Sequence, residues 1–72
     1  MIRLRVKEIA EKQGMSMGRL SRTTGLAYNT IRYIYRYPTR EVNTTTLSKI
    51  ARALNVPVTD LIEEIPDTDD SI

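Results

Sequence analysis

The chain has 72 residues, a formal net charge of +2, and neither cysteine nor histidine. This length allows one small domain, and the two missing residue types exclude disulfide bonds and a zinc site built from the usual ligands. Since no apolar run reaches the ~20 residues of a membrane helix and the N-terminus has no signal-peptide core, we expect a soluble, cytoplasmic protein.

The chain begins with a segment in which apolar and basic residues alternate. Ile2, Leu4 and Val6 are separated by arginines, and this period of two predicts a short strand or an extended arm. A helical period then starts at Val6. It ends at Gly14, which suits the left-handed conformation that closes many helices.

Two further helices are predicted on either side of a glycine turn. Ser16 is a suitable N-cap for a helix over residues 17–24, and Gly25 supplies the positive φ that a tight turn needs. A third helix is predicted over residues 28–36, because Pro38 keeps the residue before it out of the α region. Two helices joined by such a turn form a helix-turn-helix, whose second helix enters the DNA major groove.

The C-terminal half predicts two more helices and a tail. A cap within residues 43–45 precedes a fourth helix with an apolar stripe from Leu47 to Leu54. Pro57 begins a short fifth helix that carries the apolar residues up to Ile65. Residues 66–72 are acidic without apolar periodicity, so we expect a flexible tail after a single domain at residues 1–65.

The predicted fold is all-α, a compact bundle of about five short helices. Isolated helices below ~12–15 residues are marginal in water, so these helices must share one core. The predicted core residues are Val6, Ile9, Leu20, Leu26, Ile31, Ile34, Leu47, Ile50, Leu54, Val56, Leu61 and Ile62.

Charge is distributed unevenly along the chain. Residues 1–40 hold nine lysines and arginines against two glutamates, a net charge of +7, whereas residues 41–72 hold two basic and seven acidic residues, a net charge of −5. A basic half favours a polyanionic partner. The alternative is a set of ordinary solvated helix faces.

On a helical wheel the third helix has an apolar face with Ile31 and Ile34 and a polar face on the other side. The polar face carries Tyr28, Asn29, Arg32, Tyr33 and Arg36. Arginine can bond guanine O6 and N7, and asparagine can bond adenine N6 and N7. This face has the chemistry of DNA recognition; the alternative is a solvated face whose tyrosines partly cover the core.

Two segments carry a family resemblance, "GMSMGRLSRTTGLAYNTIRYI" and "TLSKIARALNVPVTDLI". From about Val6 to Ile62 the chain resembles the Cro/CI-type (XRE-like) helix-turn-helix domains of phage repressors and bacterial regulators. The arm "IRLRV" and the ending "LIEEIPD" are similar to a subgroup of small stand-alone regulators. The resemblance implies a lambda-repressor-like fold.

The resemblance also implies roles for individual residues. Those that would meet base edges are Tyr28, Asn29, Arg32 and Tyr33. Those that would contact phosphates are Ser16, Met17, Arg36, Arg40, Asn43 and Thr44. Met17 replaces a frequent glutamine, so a phosphate contact there would depend on backbone amides. Many family members pair a glutamate near the end of the recognition helix with an arginine of the first helix. This chain has Tyr35 and Ala10 at those two places. We therefore expect the tyrosine ring to pack where the ion pair would be.

The function expected from these features is sequence-specific binding of double-stranded DNA by a transcriptional regulator, a repressor. An antitoxin or corepressor-like module that also binds DNA is the alternative, and single-stranded RNA binding through the tyrosines is a weaker one. We expect no enzymatic activity, cofactor or small-molecule substrate, because histidine, cysteine and a phosphate-binding glycine loop are absent. The C-terminal carboxylates are interpreted as a solubilising tail rather than a metal site.

A homodimer on a palindromic operator is also expected, because one module buries little DNA surface. Two dimer surfaces are candidates: the N-terminal arm with Ile2, Leu4 and Val6, or an exposed face of the last helix with Ile62 and Ile65. Alternatively, both segments cover the core of the monomer, with the arm paired against the C-terminal end.

Overall fold

Residues 1–66, the part of the chain that the computed structural model describes, form four α-helices and a two-stranded sheet. The elements in chain order are strand β1 (Ile2–Leu4), helices α1 (Val6–Lys12), α2 (Met17–Thr24), α3 (Tyr28–Arg36) and α4 (Thr44–Leu54), a 3₁₀ helix at Val58–Leu61, and strand β2 (Ile62–Glu64). Residues 67–72, most of the predicted tail, lie outside the described residues. The helix-turn-helix is confirmed, with both of its helices at the predicted bounds.

Side-chain hydrogen bonds hold the turn between α2 and α3. Gly25 closes α2 with a φ of 75°, and the Ser21 hydroxyl donates to the Leu26 carbonyl at 2.6 Å. The Thr24 hydroxyl donates to the Leu20 carbonyl at 2.7 Å and accepts from the Leu26 N–H at 3.2 Å. Because these bonds satisfy the polar groups of the turn, they fix the direction in which α3 leaves it.

The longest helix, α4, starts and stops where its capping residues predict. The Asn43 side chain accepts a hydrogen bond from the Thr46 N–H at 3.1 Å. At the other end Asn55 takes the left-handed conformation, with φ 57°, and the Val56 N–H donates to the Ala51 carbonyl at 3.0 Å. This pattern of left-handed residue and backward hydrogen bond ends many helices.

All four helices contribute to one buried apolar cluster. Its members are Leu4, Val6, Ala10, Leu20, Ile31, Ile34, Ile50, Ala51, Leu54 and Leu61. Among these, Leu4, Ala10 and Ala51 lie outside the predicted set. Five predicted residues pack against the cluster but keep part of their surface exposed: Ile9, Leu26, Leu47, Val56 and Ile62. The two alanines keep 0 % and 4 % of their surface exposed.

The predicted fifth helix is shorter than expected and is not an α-helix. Only Val58–Leu61 turns, as a single 3₁₀ turn, and Ile62 is already extended, with φ −119° and ψ 143°. β2 pairs antiparallel with β1, with Ile62 opposite Leu4. An extended segment there satisfies backbone groups of the N-terminal arm that a continued helix would leave unpaired. The last helix with Ile62 and Ile65, one of the two expected dimer surfaces, therefore does not form.

The ribbon of β1 and β2 is attached to the end of α3. The Leu4 N–H donates to the Pro38 carbonyl at 2.7 Å. On the ribbon's outer side Arg3 pairs with Glu8 and Glu63, and hydrogen bonds to these carboxylates raise the pKa of Arg3. Such exposed pairs contribute little stability. The ribbon matters more because it fixes the turn that follows α3.

Candidate nucleic-acid interface

The outer face of α3 exposes all four residues predicted to meet base edges. They are Tyr28, Asn29, Arg32 and Tyr33. Tyr28 and Tyr33 keep 46 % and 44 % of their surface exposed, whereas Ile31 and Ile34 on the opposite side keep 0 % and 2 %. The buried isoleucines fix the rotation of α3 about its axis. The polar residues therefore face solvent as one group on a rigid element.

A concave surface of about 730 Å³ lies between α1, α3 and the start of α2, and Lys7 and Glu11 line it from α1. It brings Ser16 and Met17 beside Asn29, Arg32 and Tyr33. Ser16 caps α2 by accepting from the backbone N–H three residues later at 3.2 Å, and within residues 1–66 no acceptor takes its hydroxyl proton. Met17 is half-buried against the core. A phosphate at this end of α2 would therefore meet the serine hydroxyl and backbone amides rather than Met17 itself.

At the end of α3, two predicted phosphate-binding arginines lie beside one tyrosine ring. The Arg36 Cζ is 5.7 Å and the Arg40 Cζ 5.4 Å from the centroid of the Tyr37 ring. The Tyr33 and Tyr37 rings are 5.1 Å apart and tilted by 52°. In the described part of the chain, neither arginine has a carboxylate within 4.0 Å. Tyr37 has no predicted role, and its contact with Arg40 is made across the turn that follows α3.

The last two predicted phosphate contacts, Asn43 and Thr44, are at the start of α4. Both are exposed, but neither lines the concave surface beside α3. The Asn43 side-chain oxygen caps α4, so only its amide N–H groups are available to a ligand. Thr44 instead lines a separate concavity along α4. These two residues are thus set apart from the other predicted contacts.

Tyr35 packs inward, at the joint between α1 and α3. Its ring is partly buried against the apolar cluster. The Tyr35 hydroxyl is buried and has no hydrogen-bond partner within residues 1–66. Burial raises the pKa of Tyr35, and the negative charge of Glu11 raises it further. This tyrosine is partly buried against the core, unlike the exposed tyrosines of the same helix.

Other kinds of site find little support in the part of the chain that is described. Glu63 and Glu64 pair with Arg3 and with the N-terminal amine. Within residues 1–66, no group of three or more acidic residues is close enough to hold a metal ion. No helix of that region has the length and apolar character needed to span a membrane.

The sequence matches a family model over most of its length. The model is described as Cro/C1-type HTH DNA-binding domain, and the match covers residues 5–67. That range contains all four helices and every predicted site residue. No curated protein matches the chain.

Proposed function

Because the chain belongs to the Cro/C1-type helix-turn-helix DNA-binding domain family, we propose that it binds double-stranded DNA sequence-specifically and represses transcription. Family membership supports DNA binding and a regulatory role. The observation that carries sequence specificity is the outer face of α3. There Tyr28, Asn29, Arg32 and Tyr33 are exposed together while two isoleucines behind them are buried.

In this proposal α3 lies in the major groove, which is wide enough for an α-helix. Arg32 donates two hydrogen bonds to guanine O6 and N7, and Asn29 bonds adenine N6 and N7. The rings of Tyr28 and Tyr33 contact thymine methyl groups or the edges of neighbouring bases. Each bidentate pair of this kind discriminates against a wrong base by about 1–3 kcal/mol.

Phosphates on either side of the groove would be held by two groups of residues. Ser16 and the first amides of α2, at Met17, receive one phosphate, which also suits the positive end of the helix dipole. The second group extends from the end of α3 to the start of α4. It consists of Arg36, Arg40, Asn43 and Thr44. Such contacts position the protein on the duplex and carry no sequence information themselves.

We further propose a homodimer that binds a palindromic operator in the cytoplasm. One module of this size covers little DNA, and two half-sites about one helical turn apart supply the missing affinity. The ribbon end offers an apolar surface for the second copy, since Ile2 keeps 44 % of its surface exposed although β1 is paired with β2. The protein would be a binding protein and not an enzyme, with no cofactor or small-molecule substrate.

Selection of bound duplexes from a random pool tests this proposal. We expect enrichment of one palindrome whose half-sites are about one helical turn apart. Enrichment of a single half-site would contradict the dimer but keep sequence-specific binding. Recovery of the pool without any enrichment would contradict sequence-specific binding, and with it the assignment of α3.

A further inference from the structure

The chain turns sharply directly after α3. The Tyr37 N–H donates to the Tyr33 carbonyl at 2.8 Å, and the Arg40 N–H donates to the Tyr37 carbonyl at 3.1 Å. The second bond closes a four-residue turn with Pro38 in its second position, where the fixed φ of proline is favoured. Leu4 of β1 donates to the Pro38 carbonyl and attaches this turn to the ribbon. The backbone of residues 37–40 is therefore held from two sides.

This turn folds Arg40 back over the aromatic ring that Arg36 also approaches. The two guanidinium carbons lie 5.4 and 5.7 Å from the centroid of Tyr37. Cations at such distances are attracted by the negative face of an aromatic ring. The Tyr33 ring, tilted by 52° at 5.1 Å, supports the Tyr37 ring from α3. One ring thus restricts the positions of two long and otherwise flexible side chains.

Both arginines remain available to an anion. In residues 1–66 no carboxylate lies within 4.0 Å of either guanidinium group, although Glu41 follows Arg40 in the sequence. Two positive charges beside one ring repel each other, and a shared anion would remove that repulsion. A planar guanidinium fork matches the oxygens of a phosphate group.

From these contacts we infer that Tyr37 is a positioning residue that holds Arg36 and Arg40 as a two-arginine clamp for one segment of the sugar–phosphate backbone. The inference rests on the proposed DNA binding and adds a residue to which neither the family resemblance nor the charge pattern gives a role. Tyr37 acts through its ring, so its hydroxyl is dispensable. The clamp holds any duplex equally well, because phosphates carry no sequence information.

The ring and the hydroxyl can be separated by two substitutions, Tyr37→Leu and Tyr37→Phe. Affinities are measured over a series of salt concentrations for the preferred duplex and for an unrelated duplex of equal length. Tyr37→Leu should weaken binding to both duplexes alike, by about fivefold, since it removes two exposed cation–π contacts. Tyr37→Phe should stay within about twofold of wild type, because phenylalanine keeps the aromatic face.

A double substitution tests whether the ring acts through the arginines. Arg36→Ala with Arg40→Ala should lower the salt slope by about two, and adding Tyr37→Leu to that protein should change nothing further. Arg52→Ala, on α4 and outside the clamp, is the matched control for loss of one positive charge and should bind like wild type.

Three results would overturn the clamp while wild type still binds DNA. They are an unchanged affinity for Tyr37→Leu, an equal loss for Tyr37→Phe, or a loss confined to the preferred duplex, which would make Tyr37 a base contact. If wild type binds no duplex at all, the proposed function fails instead.

Ring-current shifts in the unmodified protein give a test that needs no variant to fold. The δ-methylene protons of Arg36 and Arg40 should resonate upfield of those of Arg52. Equal shifts for all three arginines would contradict the stacking.

Discussion

The two faces of α3 differ in what they contact, although they belong to the same nine residues. The inner face is buried, with Ile31 and Ile34 almost inaccessible to solvent and Tyr35 packed at the joint with α1. The outer face carries exposed tyrosines, an asparagine and arginines without carboxylate partners in the described residues. Stability should therefore depend on one face and DNA binding on the other.

This comparison also separates the four tyrosines, which look alike in the sequence. Tyr28 and Tyr33 are exposed on the outer face, Tyr35 packs against the core, and Tyr37 lies beneath two guanidinium groups. A substitution at each should thus change a different measurable property. If the two faces are independent, a substitution on one face should leave the property of the other unchanged.

The largest effect is expected on the inner face. Ile31→Ala should lower the free energy of unfolding by about 2–5 kcal/mol, because it leaves a cavity in the buried cluster. Urea denaturation measures this loss. The control is Val58→Ala, a β-branched residue that is 38 % exposed, where a change of at most about 1 kcal/mol is expected. Equal losses in both variants would show that the inner face of α3 is not part of the core.

The next largest effect is expected on the outer face. Arg32→Ala should cost about 1–3 kcal/mol of binding free energy at the preferred site and relax specificity at one base pair. Its free energy of unfolding should stay within about 0.5 kcal/mol of wild type, since the side chain is exposed. Quantitative binding to the preferred site and to single-base variants measures both effects. Unchanged binding to the preferred site would remove Arg32 from the interface.

A smaller loss of DNA affinity, the same for every sequence, is expected for the turn after α3. Arg40→Ala should weaken binding to every duplex by the same factor and lower the slope of log affinity against log salt by about one. Titrations at several salt concentrations measure that slope. If the slope stays unchanged, Arg40 does not contact a phosphate.

The smallest effect is expected at Tyr35. Tyr35→Phe removes a buried hydroxyl that has no partner in the described region, so it should leave the free energy of unfolding unchanged or raise it by up to about 1 kcal/mol. DNA binding should not change. A clear loss of stability would mean that the hydroxyl has a partner after all.

The pH dependence of stability gives a second measurement on the same residue. Burial raises the pKa of Tyr35 in the folded protein above its ordinary value of 10.0. The unfolded chain then loses this proton at lower pH, so ionisation favours unfolding as pH rises past about 10. Wild type should lose stability in that range faster than Tyr35→Phe. Parallel curves would contradict the burial of the hydroxyl.

Local patterns were sufficient to predict helices α1 to α4 and the exposure of the polar face of α3. Caps at Ser16 and Asn43 and stops at Gly25 and Asn55 mark helix ends within a few residues of sequence. The outer face of α3 follows from the helical period alone. Pro38 likewise predicts the end of α3 from a single residue.

Strand β2, the burial of Leu4 and the contacts of Tyr37 depend on residues far apart in the sequence. β2 forms because residues 62–64 meet an arm about 60 positions earlier in the chain, a pairing that the sequence offers only as an alternative to two dimer surfaces. Leu4 is buried for the same reason. The ring of Tyr37 meets Arg40 through a turn whose conformation also depends on the bond from Leu4 to Pro38. These contacts appear only when the whole fold is considered.

Methylation protection tests most directly whether the outer face of α3 reads the major groove. Dimethyl sulfate modifies guanine at N7, in the major groove, and adenine at N3, in the minor groove. On the selected site, wild type should protect guanines in each half-site and leave adenine N3 reactive. Arg32→Ala should lose protection at a single guanine per half-site. Protection of adenine N3 instead, or an unchanged guanine pattern with Arg32→Ala, would contradict the account.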